Sequence, residues 1–332
     1  MEKFKITVFC EISWDGQVAP VSFELTAKAA DLVKDIENSE VQVIIVGKRK
    51  NYDGIIDEFS NYGADKVIIV NDDIFDEYSA NLYRVAISEI LKKEKPDVVF
   101  FGATVRGREL APLVATTLNT GLTADCTELE IVDKKLEATR PTFGGKLNAT
   151  ILCKTLPQMA TVRAGVFRLP ENLVKKDTKV NFDWVNVHNE EKFTKILELI
   201  PEYADDDNDL SKAEIIYAGG RGMRSKENFN RLFELARLTG GVVGASRGAV
   251  DAGFADSSMQ IGQTGKTIHA KVYVAFGISG LAQHMAGINS CDKIISVNKD
   301  PNAPIMKLSD IGIVGDAEEI IKQMVRSLKN KK

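Results

Sequence analysis

The residues best able to do chemistry lie in glycine-rich stretches of the last third of the chain. "AGGRGMRS" sets Gly219, Gly220 and Gly222 around Arg221. Glycines there let a backbone approach a ligand, and a guanidinium fork matches phosphate oxygens. The helix that follows is expected to present free N–H groups to an anion. "GGVVGASRGAVDAGF" adds a second glycine-rich turn with Ser246 and Arg247, and "QIGQTGKT" sets Ile261, Gly262, Gln263 and Thr264 in a third. "GISGLAQH" supplies Ser279, Gly280, Leu281, Ala282, Gln283 and His284 at a strand-to-helix corner. "ISVNKDPNAP" ends a strand with Asn298, and "GIVGDAEE" puts Asp316 ahead of the last helix, where a plain helix cap is the alternative role.

Several familiar devices fail on spacing. A phosphate-binding P-loop ending in Gly265-Lys266-Thr267 needs a glycine at 260, where the chain has Gln260, and a helix after the lysine, where "IHAKVYVAFG" alternates like a strand. The nucleophile elbow G-x-S-x-G fails at Leu281, and G-x-G-x-x-G fails at Ser225. Cys10, Cys126, Cys153 and Cys291 form no C-x-x-C, and His188, His269 and His284 form no H-E-x-x-H, so no metal site is expected. The cysteines read as small buried hydrophobes in a reducing compartment. Six loops therefore offer glycines, neutral hydrogen-bonding groups, two arginines and one histidine, with no carboxylate pair and no activated nucleophile. That set suits a large bound cofactor. A flavin dinucleotide fits, because its pyrophosphate needs N–H groups and cations and its ring needs hydrogen bonds along a polar edge.

The elements that must position these loops alternate. "KITVFC", "VQVIIVG", "DKVIIV" and "DVVFFG" read as buried parallel strands. "FELTAKAADLVKDIE", with Phe23, Ala27, Ala30 and Val33 on one stripe, "YDGIIDEFSNYG" and "SANLYRVAISEILKKEK" read as the helices between them. From about 121 to 170 no helix is expected: "LEIVDKKLEATRP" reads as a hairpin and "NATILCKTLPQMATVRAGVF" as extended segments. The acidic run at residues 201–213 reads as a linker, dividing an N-terminal α/β domain, 1–200, from a Rossmann-like domain, 214–332. The fold class is α/β, with a mainly parallel sheet and flanking helices in each domain. In the second domain the loops sit at the carboxyl ends of strands, where open α/β sheets bind ligands.

The chain has 332 residues, 44% hydrophobic and 27% charged, with net charge −4. That balance recruits neither nucleic acid nor an anionic membrane, and no apolar run reaches the ~18 residues of a span. The sequence opens straight into a strand, so a cytoplasmic location is expected.

The ordered motifs GRG, GASR, "VDAG", "IGQTG", "GISG" before Gln283-His284, "NKDP" and "VGD" resemble the FAD domain of the electron transfer flavoprotein α subunit. "GATVRGRELAP", "TGLTADCTELEI", "RPTFGG" and "PQMATVRAGVF" resemble that family's N-terminal domain. The resemblance implies an electron-carrying heterodimer with a β subunit, the α chain holding FAD. It also implies an acyl-CoA dehydrogenase-type flavoprotein as partner and, in bifurcating members, NADH and ferredoxin. "GRGMRSKEN" is similar to the anaerobic, bifurcating forms.

Carried across, Arg221 and Ser246 face the FAD phosphates, Gly222 is a further cofactor-binding residue, and Arg247 lies over the ring. Ile261, Gly262, Gln263 and Thr264 form the flavin loop, with Thr264 near N5. Ser279, Gly280, Leu281, Ala282, Gln283 and His284 wrap the cofactor, with His284 at the pyrimidine edge. Asn298, Asp316 and Ala317 serve the adenosine end. Arg247, Thr264 and His284 are the residues expected to act on the flavin's redox chemistry. Leu281-Ala282 stand where the family usually has Ala-Ile, and Lys146-Leu147-Asn148 depart in the first domain. His269 reads as surface variation. The other readings are an NAD-dependent dehydrogenase or a deacetylase-type enzyme on a similar fold, and a nucleotide-sensing structural subunit.

Overall fold

The computed structural model describes residues 3–142, 147–170, 175–187, 196–198, 208–210, 213–289 and 291–330. Most of the 201–213 stretch, His188 and Lys146 lie outside them. The chain forms two compact units, Met1–Leu199 and Ile200–Lys332.

The first unit begins β1 (Phe4–Cys10), α1 (Pro20–Val33), β2 (Ser39–Gly47), α2 (Asp53–Asn61) and β3 (Lys66–Asn71). It continues α3 (Ala80–Glu94), β4 (Val98–Gly102), α4 (Val105–Thr117), β5 (Leu122–Cys126), β6 (Glu128–Val132), β7 (Lys135–Thr142), β8 (Leu147–Leu152), β9 (Gln158–Val162) and β10 (Lys179–Asp183). Seven strands make a parallel sheet in the order β10-β3-β2-β1-β4-β9-β5, and β6-β7-β8 make a small antiparallel one. The apolar runs of β2, β3 and β4 are buried on both faces, as strands covered by helices on both sides must be.

Two expectations about this unit change. The buried face of α1 is Val21, Ser22, Leu25, Thr26, Ala29 and Val33, while Phe23, Ala27 and Ala30 are only half-buried. Phe23 turns aside because it packs on the rings of Phe59 and Tyr62, so the stripe is rotated from the one the sequence suggested. Helix α4 has no counterpart in the sequence reading, because Pro112 and Gly107 lie inside it. It starts cleanly all the same: the Thr104 side chain accepts from Gly107 N at 2.9 Å. Gly107 cannot be replaced by a larger residue, since its Cβ would run into the Gly102 carbonyl.

The second unit runs β11 (Ile215–Gly219), α5 (Lys226–Thr239), β12 (Val242–Ser246), α6 (Arg247–Asp251), β13 (Gln260–Ile261) and β14 (Val272–Phe276). It ends α7 (Ala282–Met285), β15 (Lys293–Asn298), α8 (Pro304–Leu308), β16 (Ile311–Val314) and α9 (Ala317–Lys329). All six strands are parallel, in the order β13-β12-β11-β14-β15-β16. Helices α5 and α9 pack Phe229, Leu232 and Leu235 with Ile321 and Val325 on one face of the sheet. Burying each such side chain contributes about 1.5–3 kcal/mol. Leu210 belongs to the core of the opposite face, and Asn208 bonds both the N–H and the carbonyl of Val243. The residues "VVGAS", read from sequence as part of a turn, are strand β12, and β14 begins only at Val272. Upstream of it, Ile268 and Ala270 are buried in the core without joining the sheet.

Candidate functional site

The strand order of the second sheet reverses between β11 and β14. At such a switch point the loops leaving two neighbouring strands turn to opposite faces and open a crevice at the carboxyl edge. Here the loops are Gly220–Ser225 and Gly277–Leu281. They interlock: Gly220 N donates to Phe276 O at 2.8 Å and Gly222 N to Gly277 O at 3.0 Å. A Cβ on Gly222 would lie 2.7 Å from the Gly277 carbonyl oxygen, so glycine is required by close approach. The N–H groups of Met223, Arg224 and Ser225 also go to carbonyls of the same turn. The amides of Gly222 to Ser225 are thus engaged within the corner, which adds the Arg221 side chain ahead of the first amides of α5.

Two further corners complete the crevice. Strand β12 ends at Ser246, whose hydroxyl does not cap α6, and the Gly248 Cα faces Ser246 Oγ and the Arg221 side chain. Strand β13 ends at Ile261 and runs into a closed turn. Gly262 N donates to Lys266 O at 3.1 Å, Lys266 N to Gln260 O at 2.7 Å, and Gly265 N to Gly262 O at 3.0 Å. Lys266 is thus held in a turn and is followed by β14, not by a helix, which disposes of the P-loop. Thr264 Oγ1 accepts from Gln260 Nε2 at 2.9 Å, and Gln263 N donates to Gln283 O at 2.7 Å.

One cavity of about 450 Å³ receives Arg221, Ser246, Arg247, Ile261, Gly262, Gln263, Thr264, Ser279, Leu281, Gln283 and His284. Gly222, Asn298 and Ala317 line a second of about 170 Å³ with Arg224 and Lys299. Arg221 and Ile278 line the first, and their chain neighbours Gly222 and Gly277 line the second. Gly280 and Ala282 line neither. Gly280 has φ +80° and packs against Ile305, and Ala282 opens α7. The wall also includes Gly248, Asp251, Gln260 and Ile278, which the sequence reading did not select. Asp251 was findable: it stands four residues after Arg247, the spacing of one helical turn.

Charge at the larger cavity comes from Arg221, Arg247 and Asp251. His284 adds none near neutrality, since burial holds its pKa down to about 4. At the smaller cavity, Asp316 caps α9 by accepting from Glu318 N at 2.9 Å and pairs with Lys299 at 2.6 Å and Arg224 at 2.7 Å. Asn298 donates to Ile278 O at 2.8 Å and accepts from Asp300 N at 3.0 Å. Both side chains are engaged by the protein; Asn298 lines the smaller cavity, while Asp316 lines neither and stands behind Lys299 and Arg224. Cys10 and Cys126 are buried as expected of small hydrophobes, whereas Cys153 and Cys291 are only half-buried.

Residues 6–183 match the family described as the electron transfer flavoprotein domain, and residues 209–289 match the electron transfer flavoprotein FAD-binding domain. The chain belongs to the electron transfer flavoprotein α-subunit family. It is 40% identical to the electron transfer flavoprotein subunit alpha of Clostridium acetobutylicum, over 98% of this chain and 96% of that one. It is 43% identical to Protein FixB of Clostridium saccharobutylicum, again over 98% and 96%, and 41% identical to the α subunit of Megasphaera elsdenii, over 96% and 95%. FAD is the cofactor. The crevice fits it: the glycine corner leaves no side chain where the two loops meet, the Arg221 guanidinium and the Ser246 hydroxyl suit a diphosphate, and Arg247 leaves a second cation for the rest of the molecule. Asn298, Asp316 and Ala317 lie beyond the stretch matched as FAD-binding. Among the described residues no helix is long and apolar enough to cross a membrane.

Proposed function

We propose that this chain, paired with an electron transfer flavoprotein β subunit, holds FAD across the β11/β14 crevice and passes electrons between an acyl-CoA dehydrogenase-type flavoprotein and a second acceptor in the cytoplasm. When bound, FAD supplies the capacity to take electrons as a pair and release them singly. The chain's own residues bind and orient it. Arg221 and Ser246 take the diphosphate, the Gly262–Thr264 turn meets the ring, and Arg247 brings a permanent positive charge to it. Leu281 and Ile278 supply apolar wall that excludes water.

The observation that carries this reading is the convergence of four separate loops on one cavity that holds two guanidiniums. A hydride-transferring dehydrogenase would need a free acid–base residue there, whereas His284, the one histidine of the wall, has both ring nitrogens engaged with the protein, and Asp251, its one carboxylate, pairs with Arg247. The "GRGMRSKEN" stretch supports membership of the bifurcating group, in which NADH and ferredoxin act through the complex. Co-expression with the β subunit is expected to give a yellow complex with at least one FAD per heterodimer, and the chain expressed alone should be flavin-poor and less stable. A colourless complex that binds NAD would overturn the assignment. Failure of NADH to reduce ferredoxin and an acyl-CoA dehydrogenase together would remove only the bifurcating role.

A further inference from the structure

Tyr273, in β14, is fully buried behind the larger cavity and lines none of it. Its hydroxyl lies 2.7 Å from His284 Nε2, while His284 Nδ1 lies 3.1 Å from the carbonyl oxygen of Ile261. A carbonyl can only accept, so Nδ1 carries the proton. In a neutral ring Nε2 is then the acceptor, and the tyrosine hydroxyl is its donor. The ring is 7% exposed, and burial keeps it neutral.

Ile261 opens the turn that carries Gly262, Gln263 and Thr264. That turn is fastened to α7 and its exit at further points: Gln263 N on Gln283 O at 2.7 Å and Ile268 N on Gly287 O at 2.9 Å. At Gly262, with φ +139°, a Cβ would lie 2.8 Å from Gln283 O, so the two backbones meet with no side chain between them. Strand, helix and turn thus converge on one imidazole.

We infer that Tyr273 is a positioning residue of the flavin site: by donating to His284 Nε2 it holds the Nδ1–H ring against the Ile261 carbonyl, and through Ile261 sets where the Gly262–Thr264 turn stands over the cavity. The inference rests on the reading of that cavity as the FAD site. His284 then gives the cofactor neither a positive charge nor a ring N–H, and hydrogen bonds at that end come from the turn. A tyrosine present only to fill the core would be replaced by phenylalanine without consequence, since the two differ by the hydroxyl alone.

The test uses the full chain labelled with ¹⁵N-histidine and assembled with unlabelled β subunit, with and without FAD. The chain has three histidines, and His284→Gln assigns the signal. Wild type is expected to show His284 as the neutral Nδ1–H tautomer at pH 7. Tyr273→Phe is expected to keep the Nδ1–H form, which the Ile261 carbonyl still demands, to shift the Nε2 signal as that nitrogen loses its donor, and to weaken FAD binding about fivefold to tenfold, the net value of one neutral hydrogen bond, with circular dichroism unchanged. An Nε2–H or cationic His284 in the wild type overturns the inference, as does a Phe variant with unchanged FAD affinity. If the Phe variant does not fold, the wild-type Nε2 signal still decides, since an Nε2 that accepts no hydrogen bond overturns the inference. Because that signal is read without FAD as well, a wild-type complex that takes up no FAD would sink the functional reading and leave the Tyr273–His284–Ile261 link standing.

Discussion

Arg247 Nε lies 3.5 Å from Asp251 Oδ2, one turn apart along α6, and both side chains line the larger cavity. The cation expected to act on the flavin therefore has its own counter-charge beside it. The two are 70% and 67% exposed, so the pair itself contributes little to stability. Its consequence is for the ligand.

One-electron reduction of bound FAD adds negative charge, which a guanidinium favours and a carboxylate opposes. Arg247→Ala should lower the first reduction potential by roughly 20–60 mV, the upper figure being tenfold in an equilibrium constant for one electron. Asp251→Asn should raise it by a smaller amount. Arg247→Lys should fall between wild type and Ala, because it keeps the charge and loses the planar fork. Spectroelectrochemical titration of the heterodimer checks all three. If the first step stays at the wild-type potential in the Ala variant, Arg247 does not approach the ring.

Two glycines separate folding from binding. A Cβ on Gly222 would sit 2.7 Å from Gly277 O and 2.8 Å from Gly277 Cα, both backbone, so Gly222→Ala must push the interlocked corners apart. A loss of about 1–3 kcal/mol is expected. A Cβ on Gly248 meets only ordinary contacts, Arg221 Cβ at 3.6 Å and Ser246 Oγ at 3.9 Å. Gly248→Ala should leave denaturant stability unchanged or slightly raised. Yet that methyl takes up space between the two groups assigned to the diphosphate, so FAD affinity should fall about tenfold, roughly 1.4 kcal/mol. Undiminished affinity in that variant would move the diphosphate elsewhere.

How much of this was legible in the sequence depended on whether a residue's role is local. The buried strands β2, β3 and β4 read directly, because a run such as "VQVIIVG" is apolar throughout only when both faces are covered. The glycine loops also read, since strands at the switch point must end in residues that permit sharp, close turns. Helix α4 did not, because Pro112 looks like a breaker until the tertiary fold accommodates it. Strand β12 was hidden by Gly244, which packs against Ile261, a neighbour from another strand. His284 was legible as a site residue, but its protonation was not: that depends on Tyr273 and Ile261, 11 and 23 residues away.

Asp316 decides between two roles assigned to one carboxylate. It accepts from the amides of Glu318 and Glu319 and pairs with Lys299 and Arg224, and these contacts, Lys299 foremost, hold its carboxyl well below the usual carboxylate range. A folded pKa below the unfolded value of about 3.9 stabilises the fold above that pH, and the contribution is lost as pH falls towards the folded value. Asp316→Ala should therefore cost about 1–2 kcal/mol at pH 7, the range of a lost helix cap, and the gap from wild type should narrow below about pH 4. Asp316→Asn, which keeps an acceptor for the amides but not the charge, should lose less at pH 7. Hydrogen exchange of the first amides of α9 reads the cap directly, and FAD titration of the heterodimer reads the site. Faster exchange with little change in affinity assigns Asp316 to the helix. Unchanged exchange with weakened FAD binding would return it to the adenosine end, where the family resemblance puts it.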